Sequence, residues 1–447
     1  MRDYTHLSSL LDAKKYPEFI HELDRLYPTD AADFLETLPP DELPVVFRLL
    51  RKDTAAEIFA ELEYEPQTRL ISTLSDRELG QLCGELYTDD VVDLLEELPA
   101  GVVSRILKNV PPEDRSLINR FLAYPEGSAG SVMTSEYVTL NAGMTVTKAV
   151  HHIRKTGYDK ETVYSLFVTD NQRRLVGTLE LRDLLFGDPD TPVSTISDAN
   201  AAFVLTTDSR GHVADVIAKY DLLSVPVVDS ERRLVGIVTV DDALDVVREE
   251  AAEDIEKMAA ITPTDRPYSR TGVGEIFRKR IPWLLLLMIS ATFTGAIISH
   301  YEEALGAYVV LTSFIPMLMD TGGNAGGQAS VTVIRGLSLG EIVPRRDALS
   351  ILLKEVRVAL LCGSVLAIVA AAKVLLVDRA GTVVAAVVAL TLFFSVLTAK
   401  SVGSMLPLLA RRLGLDPAVM ASPFITTIVD AVSLMIYFRI ATVLLGI

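Results

Sequence analysis

The sequence predicts a multi-domain chain: an all-α superhelical N domain, a tandem pair of small α/β modules, and an α-helical membrane domain with five transmembrane helices. Three observations carry this expectation. Charge is divided unevenly: of the net −17 over 447 residues, residues 1–280 carry −19, while residues 281–447 hold 11 Lys and Arg against 9 Asp and Glu. A segment recurs at an offset of 59 residues, Arg173-Arg174-Leu175-Val176-Gly177 against Arg232-Arg233-Leu234-Val235-Gly236. Beyond residue 280, five apolar stretches are each long enough to cross a bilayer core of about 30 Å. The boundaries that follow are 1–127, 128–190, 191–248, a connecting helix and linker at 249–278, and a membrane domain at 279–447.

So acidic a front region argues against nucleic acid and for cations as partners. Cys83 and Cys362 form no disulfide framework, in keeping with a reducing compartment. The N-terminus, MRDYTHLSSLLDAKKYPEF, lacks the apolar core of a signal peptide, so residues 1–280 are expected to stay in the cytoplasm. No hydrolase triad, P-loop or zinc-type cluster is present, and the chain is not expected to be an enzyme.

Residues 5–125 read as short helices with recurring punctuation: YPTDAADFLETL, LPPDELPVVFRLL, LPAGVVSRIL and VPPEDRSLINRFL. Proline suits the first position of a helix, and acids there suit its dipole. Leucines then follow at helical spacing, which describes an irregular superhelix of hairpins. Acids gather at Glu57, Glu61, Asp89, Asp90, Asp93, Glu96 and Glu97, as a solvated face or a cation site.

In the repeat, each copy has an apolar strand (YSLFVTD, LSVPVVD), a turn, a second strand and an acidic helix start. This resembles a tandem pair of CBS domains, which often bind adenine nucleotides. The second copy holds Gly236-x-x-Thr239-x-x-Asp242; the first keeps Gly177 and Asp183 but has Glu180 in place of the hydroxyl residue. Arg182, Asp183 and Pro226 are the candidate ATP contacts. A helix from about Asp241 to Ala260 then places Asp242, Asp245, Glu249, Glu253 and Glu256 on one face, with Asp241, Glu250 and Asp254 adding to the field. Like charges at such spacing destabilise a helix by a few tenths of a kcal/mol each, so the helix gains from a divalent cation.

The spans are expected at 281–299, 307–334, 350–377, 382–409 and 419–446. Basic residues Arg278–Arg280, Arg335, Arg345, Arg346, Lys354, Arg357, Arg411 and Arg412 gather on one side, giving N-terminus in and C-terminus out. In the last span, Asp430 lies about 20 Å along the helix from Pro417, near the bilayer midplane, where an acid costs roughly 2.5–3.5 kcal/mol. Ser422, Thr426, Asp430, Ser433 and Tyr437 share its helix face, a stripe suited to a water-filled cation path. The second span adds PMLMDTGGNAGGQAS, with Asp320, Thr321, Asn324 and Gln328 among four glycines. Close helix packing is the alternative use of such glycines. Lys400, deep in the fourth span, is a candidate partner for Asp430 or Asp320, or lines a cavity.

The motifs PMLMDTGGNAGGQ, MLPLLARRLGLDPA and PFITTIVD, together with the order of parts, resemble the MgtE family of magnesium channels and transporters over the whole chain. The resemblance implies a homodimer in a bacterial-type plasma membrane, with one pore on the two-fold axis. Asp430 would select hydrated Mg²⁺ and Asn324 would line the pore, with Thr426 and Ser422 offering hydroxyl oxygens. Ser422 before Pro423 departs from the Asn of some members, which bears on how the mouth orders water. Mg²⁺ holds its water tightly, so oxygens that grip the hydration shell avoid dehydrating it. Mn²⁺ and Co²⁺ are further candidate cargo. Cytosolic Mg²⁺ is expected to dock Glu57, Asp89, Asp90, Asp93, Asp221, Asp242, Asp245, Glu250, Glu253 and Asp254 around ions and close the gate. A coupled divalent-cation transporter and a membrane-anchored Mg²⁺ sensor without transport are the alternatives.

Overall fold

The computed structural model describes residues 4–264, 268, 271–302, 306, 308–420 and 422–446, and of Glu97 and Ser422 the backbone alone. The expected hydroxyl contribution of Ser422 therefore lies outside the described side chains. Two compact units, 1–247 and 248–447, divide the chain, with the division inside the helix Val240–Met258.

The first unit opens with short helices from Thr5–Asp12 to Pro112–Phe121. Proline starts Pro28–Glu36 and Pro112–Phe121, and Pro99 caps Ala100–Asn109, as the punctuation predicts. The LPPDELP segment departs from the expectation. Pro39 begins a turn instead, its carbonyl accepting from the Glu42 amide at 2.9 Å, and the helix starts at Leu43. Ser75 and Glu78 form a capping box that pins the helix Asp76–Cys83. One apolar core, with Phe19, Phe34, Phe59, Leu70, Val92 and Phe121 buried, runs through these hairpins.

The repeat folds as two like sheets. β1 (Thr139–Asn141) pairs parallel to β2 (Ser165–Thr169), and β2 antiparallel to β3 (Leu175–Glu180). β4 (Val204–Leu205), β5 (Ser224–Val228) and β6 (Leu234–Thr239) repeat that order. A local two-fold relates the copies. The Leu175 amide donates to the Arg232 carbonyl and the Leu234 amide to the Arg173 carbonyl, each at 3.0 Å. Each copy also lends its leading segment to the other's sheet: Thr134 bridges Ile237, and Asp198 bridges Thr178. Gly177 and Gly236 permit this exchange, because a Cβ at either would meet Asp198 O at 2.7 Å or Met133 Sδ at 2.5 Å.

Among the described residues of the second unit, four helices are long and apolar enough to cross a membrane: Val273–His300, Ala348–Leu376, Thr382–Arg412 and Ala418–Leu445. Where the second span is expected, a 3-10 turn, Val309–Phe314, leads into the helix Ile315–Ser338, which starts eight residues later than the expected 307. Its glycines and polar residues set it apart in composition from the other four. The helix Thr382–Arg412 is the central one, buried at Val387, Leu392, Val396 and Ala399 against Leu318, Ile425, Val429 and Leu434. By contrast Leu361, Val365 and Ile368 of the helix Ala348–Leu376 are exposed, an apolar face of the kind lipid covers.

Candidate functional site

Glycine packing orients the helix Ile315–Ser338. A Cβ on Gly322 would meet Ser433 Oγ at 3.0 Å, one on Gly323 would meet Thr426 at 3.0 Å, and one on Gly326 would meet Ile425 at 2.8 Å. Gly403 of the central helix lies so near the Gly326 carbonyl that no Cβ fits between them. The small residues thus form the closely packed side, and Asp320, Asn324 and Gln328, four residues apart, project from the exposed side. Packing and polar lining are two faces of one helix.

On the last helix, Asp430 is partly buried. Thr426 is also partly buried, its hydroxyl donating to the Pro423 carbonyl at 2.9 Å. The lower half of the expected stripe is structural. Tyr437 is wholly buried, its hydroxyl donating to the Leu311 carbonyl at 2.9 Å, and Ser433 is buried beside Gly322. Lys400 does not reach either aspartate. It pairs with Glu355 of the helix Ala348–Leu376 at 3.6 Å, with both side chains buried. The carboxylate that meets it lies on the third expected span, a partner that spacing along the chain does not reveal.

In the first unit a group of acids gathers from three segments. Asp89 and Asp90 start the helix Thr88–Glu97, Glu136 and Glu161 belong to the first α/β copy, and Asp242 follows β6. Glu136 is well satisfied: Thr88 Oγ1 donates to it at 2.8 Å, Thr134 Oγ1 at 2.7 Å and Ser135 Oγ at 2.9 Å. Asp242 accepts from the Thr239 hydroxyl and, at 3.4 Å, from its amide, closing the start of its helix. Asp89 Oδ1 and Glu161 Oε2 are out of water with no hydrogen-bond donor among the described residues. Burial first, and then the neighbouring carboxylates, push Asp90 up to about 6 and Glu161 to about 8. Asp89 and Asp242 are raised as well, chiefly by burial. Among the described residues, no three carboxylate, imidazole or thiol groups converge on one point in this structure. The cluster is two orphaned oxygens among acids that repel one another.

The other expected sensor residues are dispersed. Asp93 and Glu57 are exposed, and Asp221 ends the helix Arg210–Tyr220 in a left-handed turn at φ 52°. Asp245 and Glu250 are exposed on the acidic helix. Within the second unit, Asp254 accepts from Ser338 Oγ at 3.0 Å. Lys257 Nζ bridges Glu253 and Asp416, each at 2.8 Å. Of the nucleotide candidates, Arg182 pairs with Glu180 at 3.1 Å and Asp183 at 3.7 Å, all exposed, while Pro226 is buried in β5.

Family models match the chain in order: an MgtE intracellular N domain at 26–127, CBS domains at 129–189 and 193–249, and a divalent cation transporter domain named MgtE at 315–440. The magnesium transporter MgtE of Thermus thermophilus is 37% identical over 427 residues, covering 95% of this chain and 94% of that protein. The chain belongs to the MgtE family. The Bacillus subtilis transporter MgtE is 32% identical over 97% of this chain and 95% of its own length. A solved cytosolic domain of the Mg²⁺ channel MgtE in complex with ATP is 37% identical, with a TM-score of 0.51, covering 54% of this chain and 98% of that one. Relatives of the family bear the names of transporters and not of enzymes. With its apolar helices, this MgtE chain is a multi-pass membrane protein. Glu136, Glu161, Asp416 and Glu355 are the residues that reading the sequence missed. Glu161, Asp416 and Glu355 are isolated acids whose partners come from distant segments, whereas Glu136 carries a local signal in the three successive oxygen side chains Thr134-Ser135-Glu136.

Proposed function

We propose that this chain is a Mg²⁺-selective homodimeric channel that imports magnesium through five spans, with its N-terminus in the cytoplasm and its C-terminus outside. The observation that carries the reading is that the helix bearing the half-buried Asp430 packs directly on the helix that projects Asp320, Asn324 and Gln328, within a largely apolar bundle. Such acids are retained in a membrane where they line a path. Two copies of Asp430 about a two-fold axis would supply two negative charges, with amide and hydroxyl oxygens of Asn324 and Thr426 ordering the ion's water. Relatives named as magnesium transporters support the cargo. Mn²⁺ and Co²⁺ are further candidate cargo in this reading. The domain limits 1–127, 128–190, 191–248, 249–278 and 279–447 belong to it. Planar-bilayer recording is the test: wild-type protein gives unitary Mg²⁺ currents, and Asp430→Asn abolishes them while dimer and expression persist. Unchanged currents in Asp430→Asn would refute the pore. The second reading, a coupled transporter, draws on the buried Lys400–Glu355 pair, and slow flux that requires a second ion gradient would select it.

Regulation by cytosolic Mg²⁺ is part of the proposal. The buried oxygens of Asp89 and Glu161 fit a cation, since each is an acceptor with no donor among acids whose mutual repulsion an ion relieves. Asp90, Asp242 and Glu136 stand beside them, and Asp93, Asp221, Asp245, Glu250, Glu253, Asp254 and Glu57 extend the field. ATP binds the CBS pair through Arg182, Asp183 and Pro226 in this reading, supported by the related cytosolic domain solved with ATP. Calorimetry with ATP should give a heat of binding that Asp183→Ala reduces, and its absence in the wild type would end that part.

A further inference from the structure

At the basic end of the helix Val273–His300, a cavity of about 360 Å³ opens beside the last turns of the helix Val240–Met258. Ala252, Ile255, Ile261 and Ile276 supply apolar walls; Glu256, Lys279 and Arg280 supply charge of both signs. Residues 262–264, just beyond the helix Val240–Met258, are tied to both helices. The Thr264 amide donates to Glu256 Oε2 at 2.9 Å, the Thr262 amide to the Lys279 carbonyl at 3.2 Å, and Lys279 Nζ to the Pro263 carbonyl. Glu256 Oε1 is left without a hydrogen-bond partner, and Arg280 without an ion pair, among the described residues. Immediately after Arg280 the helix turns apolar, and Leu284, Leu285 and Met288 are exposed. The volume is that of a small-ligand site.

Each of these features narrows the occupant. A free anion would meet Glu256, and a simple cation would meet Lys279 and Arg280. A purely apolar chain would leave all three charges unused. A phosphodiester joined to an ammonium group and carrying an acyl tail satisfies every wall. We propose that this cavity is a headgroup site for a membrane phospholipid bearing a primary amine, its phosphate on Arg280 and Lys279 and its ammonium on Glu256. The placement agrees with this, because a span's basic end lies at headgroup level, where Arg and Lys are drawn to phosphate. The inference rests on the helix Val273–His300 crossing the membrane and not on the ion path, so loss of one leaves the other standing.

The test uses the full chain in detergent, stripped of lipid and titrated with phosphatidylethanolamine, phosphatidylglycerol or water-soluble glycerophosphoethanolamine, with retention read by native mass spectrometry. Phosphatidylethanolamine should be retained in preference, and Arg280→Gln should lower its retention at least about tenfold, as loss of one charge-assisted hydrogen bond implies. Arg280→Lys should restore much of it. Glu256→Gln keeps an acceptor for the Thr264 amide, and should weaken phosphatidylethanolamine but not phosphatidylglycerol. Equal retention in Arg280→Gln and wild type would overturn the site. Glycerophosphoethanolamine displacing lipid at equal concentration would assign the cavity to a soluble ligand instead. Equal retention of both lipids by the wild type would overturn the role given to Glu256. Mg²⁺ currents of the same preparations report separately on the path.

Discussion

Asp89 and Glu161 each hold a carboxylate oxygen away from water and, among the described residues, from donors, and their charge state follows from that. Glu161 is raised from 4.5 to about 8 and Asp90 from 3.8 to about 6, so both bind protons more readily folded than unfolded. Their contribution to stability is therefore fully present below the unfolded values, and is lost as pH rises through about 6 and then about 8. A divalent ion that binds the ionised folded form replaces what the protons supplied. We predict that Mg²⁺ raises the melting temperature of the soluble region far more at pH 8 than at pH 5, and that Glu161→Gln removes most of this difference. A Mg²⁺ shift independent of pH, measured by differential scanning fluorimetry, would contradict it. Asp89 and Asp90 are legible in the sequence as adjacent acids at a helix start. Glu161 is not, because Asp89 and Asp90 lie more than 70 residues before it and Asp242 lies 81 residues after it.

Among the elements, the helix Ile315–Ser338 is held by contacts so short that they set both its position and its polar face. Adding a methyl at Gly403 would drive it into the Gly326 carbonyl, so Gly403→Ala should disrupt the bundle and give little folded protein on size-exclusion chromatography. Normal yield and elution from that variant would deny the contact its role. The pairing of Lys400 with Glu355 ties the central helix to the helix Ala348–Leu376. Removing one partner strands a buried charge, and Glu355→Leu should cost about 3–5 kcal/mol, whereas Glu355→Leu with Lys400→Met should recover most of it. Thermal melts in detergent distinguish the two outcomes, and a double variant no more stable than the single one would mean that the ion pair itself is needed. Lys400 is conspicuous in an apolar span, but which acid meets it depends on how the helices pack.

For the molecule as a whole, the acidic excess of residues 1–280 makes that region one of mutual repulsion, which the proposed cations would relieve. In the proposed feedback, Asp242→Asn with Asp245→Asn leaves a pore that stays active when cytosolic Mg²⁺ is raised to millimolar levels, as read in the same bilayer recordings. Limited proteolysis of residues 1–265 should change pattern with Mg²⁺, and identical patterns would remove the sensor. The order of parts, the tandem repeat and the apolar stretches were determined by the sequence alone, because composition, hydropathy and a 59-residue offset are properties of the chain itself. Helix starts marked by proline were legible for the same reason. Tertiary structure decided which polar residues lie at a surface and which are sealed in. It placed Tyr437 and Ser433 in the packed bundle but left Asp320, Asn324 and Gln328 projecting, gave Lys400 to Glu355, and brought Glu136 and Glu161 to Asp89. Periodicity states which residues share a helix face; only packing against other helices states what that face meets.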